Sequence, residues 1–282
     1  MHAIRPRSYA NPRISIVVPA RNEARNLEVI LPTLPANAEI IVVDGHSVDN
    51  TAEIVAAVRP DAKFLQQTRR GKGNALAVGF GAATGDIIVM FDADGSADPT
   101  EIAAYVKALT DGADFAKGSR VIAGGGSVDI TWLRDAGNKV LTLITNIGFR
   151  TKYTDLCYGY NAFWTDVLPH LDLPPVYPLS EGMQWGDGFE IETLINCRVA
   201  VAKLNVVEVP SVEAERLHGV SNLNAMKDGL RVLKTLITEY RRSFSHRKAQ
   251  AALRAATAPV VSTRTTRRAN RNAEFEPIEV SA

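Results

Sequence analysis

The feature that most constrains the fold is a regular alternation of short β-branched runs with helical segments through about residue 118. Apolar runs typical of buried strands cover residues 14–18, 40–43 and 86–91, and weaker ones cover residues 63–65 and 113–116. Between them, apolar residues recur at helical spacing. Strand–helix–strand units of this kind connect in a right-handed sense. The sequence therefore predicts an α/β domain with a mostly parallel central sheet flanked by helices.

The domain organisation follows from where this pattern ends. We expect one domain over residues 13–220 and a basic amphipathic helix over residues 221–242. The apolar stripe of that helix is formed by Met226, Leu230, Leu233, Ile237 and Tyr240, with Lys227, Arg231 and Lys234 beside it. Residues 243–282 are basic, have few large apolar side chains and lack periodicity, which predicts a disordered tail.

Composition excludes several classes of function. A formal net charge of +1 gives no basic signal for nucleic acid. No run approaches the ~18 apolar residues of a membrane span, and the polar, basic start is not that of a signal peptide. Cys157 and Cys197 are too isolated for a disulfide framework or a zinc site. We expect a cytoplasmic protein, or one bound peripherally to the inner face of the membrane.

Three of the predicted strands end in polar clusters, at residues 20–23, 44–47 and 92–95. The carboxyl ends of parallel strands meet at one edge of the sheet, where ligands bind. Acidic groups that converge there repel one another unless a cation is present, and a divalent metal that holds a diphosphate would supply it. The alternative is that these residues are only helix caps and turn formers.

Asp92-Ala93-Asp94 is the most specific of these clusters. Residues i and i+2 of an extended segment point to the same side, so both carboxylates can reach one Mg²⁺ or Mn²⁺. Such a metal would bridge a diphosphate and help a nucleoside diphosphate to leave.

Four segments resemble family 2 glycosyltransferases of the GT-A fold in identity, order and spacing: VVPARNE at 17–23, VVDGHSVDNT at 42–51, GKGNA at 71–75 and FDAD at 91–94. Four later segments resemble the dolichyl-phosphate mannosyltransferase branch of that family: GSR at 118–120, DLCYGYN at 155–161, GFEIE at 188–192 and RLHGVS at 216–221. The resemblance covers about residues 13 to 242. It implies transfer of a hexosyl group from a nucleoside diphosphate sugar, with inversion.

The resemblance implies a role for each of several residues on the donor side. Pro19, Asn22 and Glu23 would line the nucleotide pocket, and Asp44 would face the base. Lys72 stands where a cation can approach the nucleotide phosphates, although a lysine in a glycine loop is often only solvated.

The resemblance also implies a metal site. Asp92 and Asp94 would hold Mg²⁺ or Mn²⁺, and Asn161 stands where this branch places a polar residue near the metal. His218 would be a late metal ligand. A surface asparagine and a loop histidine are the plainer alternatives. His46 and Asn161 depart from the family pattern, at positions where acidic or small residues and Arg or Gln are usual.

For the acceptor, the branch implies a polyprenyl phosphate presented at a membrane surface. Arg120 and Arg134 follow the central sheet, and two guanidinium groups can bind one phosphate. Residues 124–126 are glycines that would let the loop between them close. The basic helix suits an anionic bilayer. Alternatively, the arginines pair with local carboxylates, the stripe packs on the domain, and the acceptor is a soluble hydroxyl compound.

An acidic cluster at Asp187, Glu190 and Glu192 separates these acceptors chemically. A hydroxyl acceptor needs a general base, which Glu190 or Glu192 would supply. A phosphate acceptor is already anionic, so the two glutamates would only orient the site. The plainer alternative is a helix N-terminus that acidic residues stabilise.

Two other classes remain open at this point. Residues 87–96 with Gly186-Asp187-Gly188 also resemble haloacid-dehalogenase-type phosphatases, with Asp92 as nucleophile and Asp94 as acid, although that motif normally ends the first strand of its domain. A non-catalytic nucleotide-sugar binder is the second. A dinucleotide-binding domain is disfavoured because no G-x-G-x-x-G follows the first strand.

Overall fold

The computed structural model describes residues 7, 9–177, 182–219 and 225–257. Its contacts separate a unit that ends at Ser243 from one that begins at Phe244. The first unit holds a seven-stranded sheet in the order β3-β2-β1-β4-β7-β5-β8. These strands are β1 Ile14–Ala20, β2 Glu39–Asp44, β3 Lys63–Gln66, β4 Ile87–Met90, β5 Phe115–Ser119, β7 Asn161–Trp164 and β8 Val206–Pro210, and a small second sheet pairs β6 Gly126–Ser127 with β9 Val212–Glu213.

The predicted α/β architecture is confirmed, with one antiparallel insertion. β7 runs antiparallel to both β4 and β5, while the other neighbouring pairs of the large sheet are parallel. Helices lie between and after these strands along the chain. They are α1 Ala24–Ile30, α2 Thr51–Val58, α3 Lys72–Ala82, α4 Ile102–Thr110, α5 Trp132–Phe149, α6 Leu168–Leu171, α7 Ile191–Val201 and α8 Ala225–Thr257.

The core lies where these helices meet the central strands. Residues 16–18 of β1, 40–43 of β2 and 87–90 of β4 are all buried, as expected for strands covered on both faces. Gly79 of α3 lies against Val17, and a Cβ at Gly79 would stand 2.3 Å from the Val17 Cγ1 atom. This close approach holds α3, and the loop before it, tightly over the carboxyl edge of the sheet.

The structure describes part of the segment that was predicted to be a disordered tail. α8 continues past residue 242 to Thr257. Residues 243–257 contain no Gly or Pro and are rich in Ala, Arg, Lys and Gln, which favour helix without an apolar periodicity. The absence of an apolar periodicity therefore does not by itself exclude a helix. The tail beyond residue 257, and residues 220–224 at the predicted domain boundary, lie outside the described residues.

The apolar stripe predicted for this helix lies partly on its exposed side. Leu230, Ile237 and Tyr240 are exposed, so the alternative that the stripe packs on the domain is wrong for these three. The side chains of Met226 and Lys227, which were also assigned to this helix, lie outside the described residues. Over the residues that the structure describes, no helix has the length and hydropathy to cross a bilayer.

Candidate active site

A cleft of about 950 Å³ opens at the carboxyl edge of the sheet. One end is charged and is formed by the loops after β1 and β4 and by the start of α3. The other end is largely apolar and lies between α5 and α8. Of the predicted site residues, Pro19, Glu23, Lys72, Asp92, Asp94, Arg120, Arg134 and Glu192 line the cleft.

The loops after β1 and β2 are tied together by the residues predicted to contact the nucleotide. The Asn22 backbone N–H donates to the Ser47 hydroxyl at 2.8 Å, and the Asn22 amide oxygen accepts from the Val48 N–H at 2.8 Å. Asp44 is buried and accepts from the Ser47 N–H. Asn22 and His46 have φ values of 56° and 60°. Asn is one of the few residues that adopt this left-handed conformation readily.

Four carboxylates and two cations line the charged end of the cleft, and each cation contacts two of the carboxylates. The Lys72 ammonium lies 2.6 Å from Asp92 Oδ1 and 2.8 Å from Glu192 Oε1. Although burial opposes the charged form, Asp92 and Glu192 together raise the pKa of Lys72 above its ordinary value, so it is cationic at neutral pH.

Arg216 makes the second bridge of this charged cluster. Its guanidinium lies 2.8 Å from Glu23 Oε1 and 3.0 Å from Asp94 Oδ2. The cluster therefore has two more carboxylates than cations, an excess that a divalent metal would offset.

The glycines around Lys72 are required by a close backbone contact. The Gly73 N–H donates to the Asp187 carbonyl at 2.7 Å, and a Cβ at Gly73 would stand 1.8 Å from the Gly186 carbonyl oxygen. Arg69 locks the same contact through two bonds to the Asp187 carboxylate, at 2.7 and 2.8 Å, with both side chains buried. The backbone carbonyl and the carboxylate of Asp187 therefore both hold this loop in place.

Glu190 and Glu192 have different surroundings. Glu190 Oε1 accepts from the N–H groups of Gly186 and Gly188, while its Oε2 is buried and has no hydrogen-bond partner among the described residues. A Cβ on Gly188, which lines the cleft, would be 2.3 Å from that oxygen. Burial raises the pKa of Glu192, and the charge of Lys72 opposes this rise.

The two arginines predicted to bind an acceptor phosphate differ in their availability. Arg120 binds both oxygens of Asp155, at 2.7 and 3.0 Å, and Glu213 at 2.9 Å, and it lies over the Tyr158 ring. Its side chain is only 7% exposed. Arg120 therefore pairs with local carboxylates, which was the alternative to binding an acceptor phosphate. Arg134 is more exposed, and its Asp129 partner lies 3.4 Å away.

The structure does not bring all four predicted metal ligands to one point. The Asn161 amide is buried and bonds to the Gly118 N–H and the Tyr158 carbonyl. The carbonyl of His218 accepts from the Asn26 amide. Neither Asn161 nor His218 lines the cleft. Over the described ranges, no three His, Cys, Asp or Glu side chains form a metal-binding group.

Two residues of the site were missed by sequence reasoning. Arg216 has a partner on each side of the acidic cluster, and a Cβ on Gly159 would stand 3.1 Å from both Lys72 Nζ and Glu192 Oε1. Both residues belong to segments that carried the family resemblance. Their contacts depend on loops far apart in sequence, so spacing alone gave them no role.

A model of the family described as Glycosyl transferase family 2 matches residues 15–171. The chain belongs to glycosyl transferase family 2. It is a glycosyltransferase, and the phosphatase interpretation is not supported.

Two relatives are similar over most of the chain. The polyprenol monophosphomannose synthase of Mycolicibacterium smegmatis is 30% identical over 75% of this chain and 81% of its own length. The undecaprenyl-phosphate mannosyltransferase of Micrococcus luteus is 31% identical over 75% of this chain and 88% of its own. These matches agree with the branch that the sequence resembles.

The fold is also that of solved glycosyltransferases. Glucosyl-3-phosphoglycerate synthase from Mycobacterium tuberculosis, crystallised with Mn²⁺, UDP-glucose and phosphoglyceric acid, matches with a TM-score of 0.63 at 21% identity. The match covers 82% of this chain and 80% of that one. The predicted GT-A fold is confirmed.

Proposed function

We propose that this glycosyltransferase moves a hexosyl group from a nucleoside diphosphate sugar to a polyprenyl phosphate, with inversion and with a divalent metal. The observation that carries this proposal is the composition of the cleft. Its charged end suits a metal-bound diphosphate, and its other end is walled by apolar residues, among them Ile130, Leu133, Val140, Leu230 and Leu233. An amphiphilic acceptor fits such a cleft, and the names of the relatives agree with it.

Asp92 and Asp94 would hold the metal, Mg²⁺ or Mn²⁺. Two carboxylates suit Mg²⁺, which usually takes one or two protein carboxylates and completes its shell with substrate phosphates and water. The excess of carboxylates over cations in the surrounding cluster fits this assignment. When bound, the metal stabilises negative charge on the departing diphosphate.

Lys72 and Arg216 would exchange partners when the donor binds. Each now neutralises carboxylates at the place where a diphosphate would enter. With Asp92 and Asp94 on a metal, the two cations would turn to phosphate oxygens. Preorganised positive charge of this kind stabilises the leaving group in the transition state.

Transfer with inversion needs a single displacement. An acceptor phosphate oxygen attacks the anomeric carbon from the face opposite the diphosphate. The bond from the acceptor oxygen to the anomeric carbon forms as the bond from that carbon to the diphosphate oxygen breaks. The electron pair of the broken bond leaves with the nucleoside diphosphate. Because the acceptor is already anionic, no base is needed. Arg134 would position the acceptor phosphate, and Glu190 and Glu192 would support the site.

The test is a donor and acceptor screen with the full chain. Radiolabelled nucleoside diphosphate hexoses, UDP-glucose among them, are offered with polyprenyl phosphate in detergent or with soluble hydroxyl compounds, and the product anomer is read by NMR. We expect the label to appear in the lipid product with the anomeric configuration inverted. Excess EDTA should abolish this transfer. Asp94→Ala should lower turnover by ~10²–10³-fold.

The matched control is Asp111→Ala, an exposed aspartate that pairs with Lys107 on α4. It should retain full turnover. Undiminished activity in EDTA would contradict the role of the metal. Transfer only to soluble hydroxyl compounds would contradict the lipid acceptor, and a ~10²–10⁴-fold loss in Glu190→Gln or Glu192→Gln would then identify the base.

A further inference from the structure

Lys117 on β5 is a buried basic residue that the proposed reaction does not use. It is fully buried. Its Nζ atom donates to the Gly118 carbonyl at 3.2 Å, and it forms no ion pair with any residue that the structure describes. A buried lysine without a carboxylate partner costs free energy. Stability therefore does not account for a lysine at this position.

Lys117 lies in a polar layer beside the segment that holds Asp155. On the neighbouring strand β8, Glu208 is its partner in register. Glu208 accepts from the backbone N–H and the hydroxyl of Thr154, at 2.8 and 2.9 Å. Ser119, which lies on the same face of β5 as Lys117, contacts the Thr154 hydroxyl at 2.6 Å. The groups around Lys117 therefore contact the residue that precedes Asp155 in the chain.

Lys117 and Asp155 act on each other electrostatically. Burial lowers the pKa of Lys117, and among the charges that oppose this fall that of Asp155 is the largest, ahead of Glu208. Burial also opposes the ionisation of Asp155, but a hydrogen bond from Arg120 and then the charge of Lys117 lower the pKa of Asp155. Lys117 is therefore close enough to serve as a counter-ion of Asp155, although the two form no ion pair in this structure.

The cation that Asp155 binds in this structure is Arg120. The Arg120 guanidinium also bonds to Glu213, and Arg120 lines the cleft. Arg120 could hold an acceptor phosphate only by leaving a buried carboxylate. Removing one partner of a buried ion pair costs more than one hydrogen bond to an anion returns. An acceptor would therefore attract Arg120 away only if Asp155 received another cation.

We propose that Lys117 is a positioning residue that supplies Asp155 with a counter-ion when Arg120 binds the acceptor phosphate. Arg120 leaves Asp155 for the phosphate, and the Lys117 ammonium takes its place. The flexible four-carbon stem of lysine allows this movement, and the new pair favours the ammonium form. The Asn138 amide, which also donates to Asp155 at 2.9 Å, stays in place.

The exchange makes the role of Lys117 depend on the charge of the acceptor. It rests on the proposed function, because only an anionic acceptor attracts Arg120. A neutral polyprenol has no charge with which to draw Arg120 from Asp155. Loss of the Lys117 charge should therefore weaken the binding of the phosphate and not that of the alcohol. A purely structural role of Lys117 would affect both ligands equally.

Lys117→Met is the variant that tests the exchange, because methionine keeps the length of the side chain and removes its charge. The overall lowering of the pKa of Lys117 shows that burial of its charge costs stability that the nearby carboxylates do not fully restore. The melting temperature of Lys117→Met should therefore not fall below that of the wild type. The matched control is Lys107→Met, at an exposed lysine on α4 that pairs with Asp111.

The test measures the binding of two ligands to the full chain by calorimetry, without donor. One ligand is a short-chain, water-soluble polyprenyl phosphate, and the other is the polyprenol of the same chain length. We expect Lys117→Met to bind the phosphate about 10–100-fold more weakly than the wild type does, because Asp155 then has no second cation. Both proteins should bind the polyprenol equally, and Lys107→Met should match the wild type with both ligands.

Steady-state kinetics give a second measure of the same exchange. In Lys117→Met the KM for the lipid phosphate should rise by a similar factor, while kcat and the Kd of the nucleoside diphosphate stay close to those of the wild type. This division is expected because Lys117 acts on the acceptor only through Arg120. A lower kcat with an unchanged KM would place Lys117 in the chemical step and contradict the positioning role.

A double-mutant cycle with Asp155→Asn isolates the part played by the charge of Asp155. In Asp155→Asn the side chain at this position is uncharged and needs no counter-ion when Arg120 leaves. Lys117→Met should therefore have no further effect on phosphate binding in that background. Additive effects of the two substitutions would contradict the exchange. The single variant Lys117→Met still decides the question if Asp155→Asn, which loses a buried ion pair, does not fold.

The outcomes separate this inference from the proposed function. If the wild type transfers hexose to the lipid phosphate and Lys117→Met binds that phosphate equally well, the exchange is overturned and the proposed function stands. Equal weakening for phosphate and alcohol would also overturn the exchange. Weaker phosphate binding by Lys117→Met, in a chain that transfers no hexose, would uphold the exchange and contradict the proposed function. A wild type that does not bind the phosphate would contradict both.

Discussion

The central strands on the nucleotide side of the molecule and the helix α5 show opposite patterns of burial. In β1, β2 and β4 the aliphatic residues are buried and the polar residues stand at the strand ends. In α5 the buried residues include Asn138, Thr142 and Thr145, and the aliphatic residues face outward. An apolar stripe therefore does not show by itself which side of a helix packs on the domain.

The strongest test of the comparison is the polar layer beneath α5. Asp155 is fully buried and binds Arg120 and Asn138. Asp155→Asn should lower the free energy of unfolding by about 3–5 kcal/mol, because it leaves the Arg120 guanidinium buried with one of its two charge partners removed. Chemical denaturation measures this. Asp129→Asn, at an exposed pair with Arg134, is the control, and an equal loss there would contradict the argument.

A matched pair of leucines compares the two regions directly. Leu27 of α1 is fully buried in the core, whereas Leu143 of α5 is exposed. Leu27→Ala should cost about 2–5 kcal/mol of unfolding free energy through lost burial and a cavity. Leu143→Ala should change it by less than about 0.5 kcal/mol. Similar losses in urea melts would mean that α5 buries its apolar side in solution.

Lys72 tests whether charge governs the nucleotide side. Lys72→Met should lower kcat/KM by about 10²–10³-fold, because Asp92 and Glu192 lose their counter-ion and the diphosphate loses a cation. Steady-state kinetics and the Kd of the nucleoside diphosphate measure this. Lys107→Met, an exposed lysine on α4, should leave both unchanged. Normal turnover in Lys72→Met would remove Lys72 from the reaction.

The smallest effect is expected at Glu39, at the amino end of the sheet. Burial opposes its ionisation, but hydrogen bonds from Lys63, Ser15 and Thr84 lower its pKa to about 2. A lowered folded-state pKa adds stability above the ordinary value of 4.5, and this is lost as the pH falls towards 2. Glu39→Gln should cost about 1–2 kcal/mol at pH 7 and much less near pH 2.

Thermal melts across this pH range measure the Glu39 effect. A difference between Glu39→Gln and wild type that did not shrink with falling pH would show that packing, and not charge, is involved. Activity should be unaffected at neutral pH, because Glu39 lies at the opposite end of β2 from Asp44.

The fold was predictable from sequence where local pattern and burial coincide. β1, β2 and β4 are continuous apolar runs, which indicate buried strands without information from the rest of the chain. β7 was not predicted, because residues 161–164 form only a short run and their antiparallel pairing is set by strands far away in the chain.

Eight of the predicted site residues line the cleft, and their roles stay predictions, but the contacts that they make could not be predicted. Position at a strand end was enough to place Asp92 and Asp94 on the cleft. Position at a strand end could not show that Arg216 binds Asp94, 122 positions away, or that Arg120 pairs with Asp155. Those pairings depend on how the loops fold over the sheet. Local periodicity carries no information about that.

The contact between the Gly71–Gly73 loop and residues 186–187 has an evolutionary consequence. Arg69 and Asp187 are 118 positions apart, yet they form one buried ion pair behind Lys72. A side chain at Gly73 would need the backbone at Gly186 to move. Neither segment can accept substitutions independently of the other. Among relatives that keep this loop, the two segments should be inherited as a single unit, with changes at position 69 accompanied by changes at position 187.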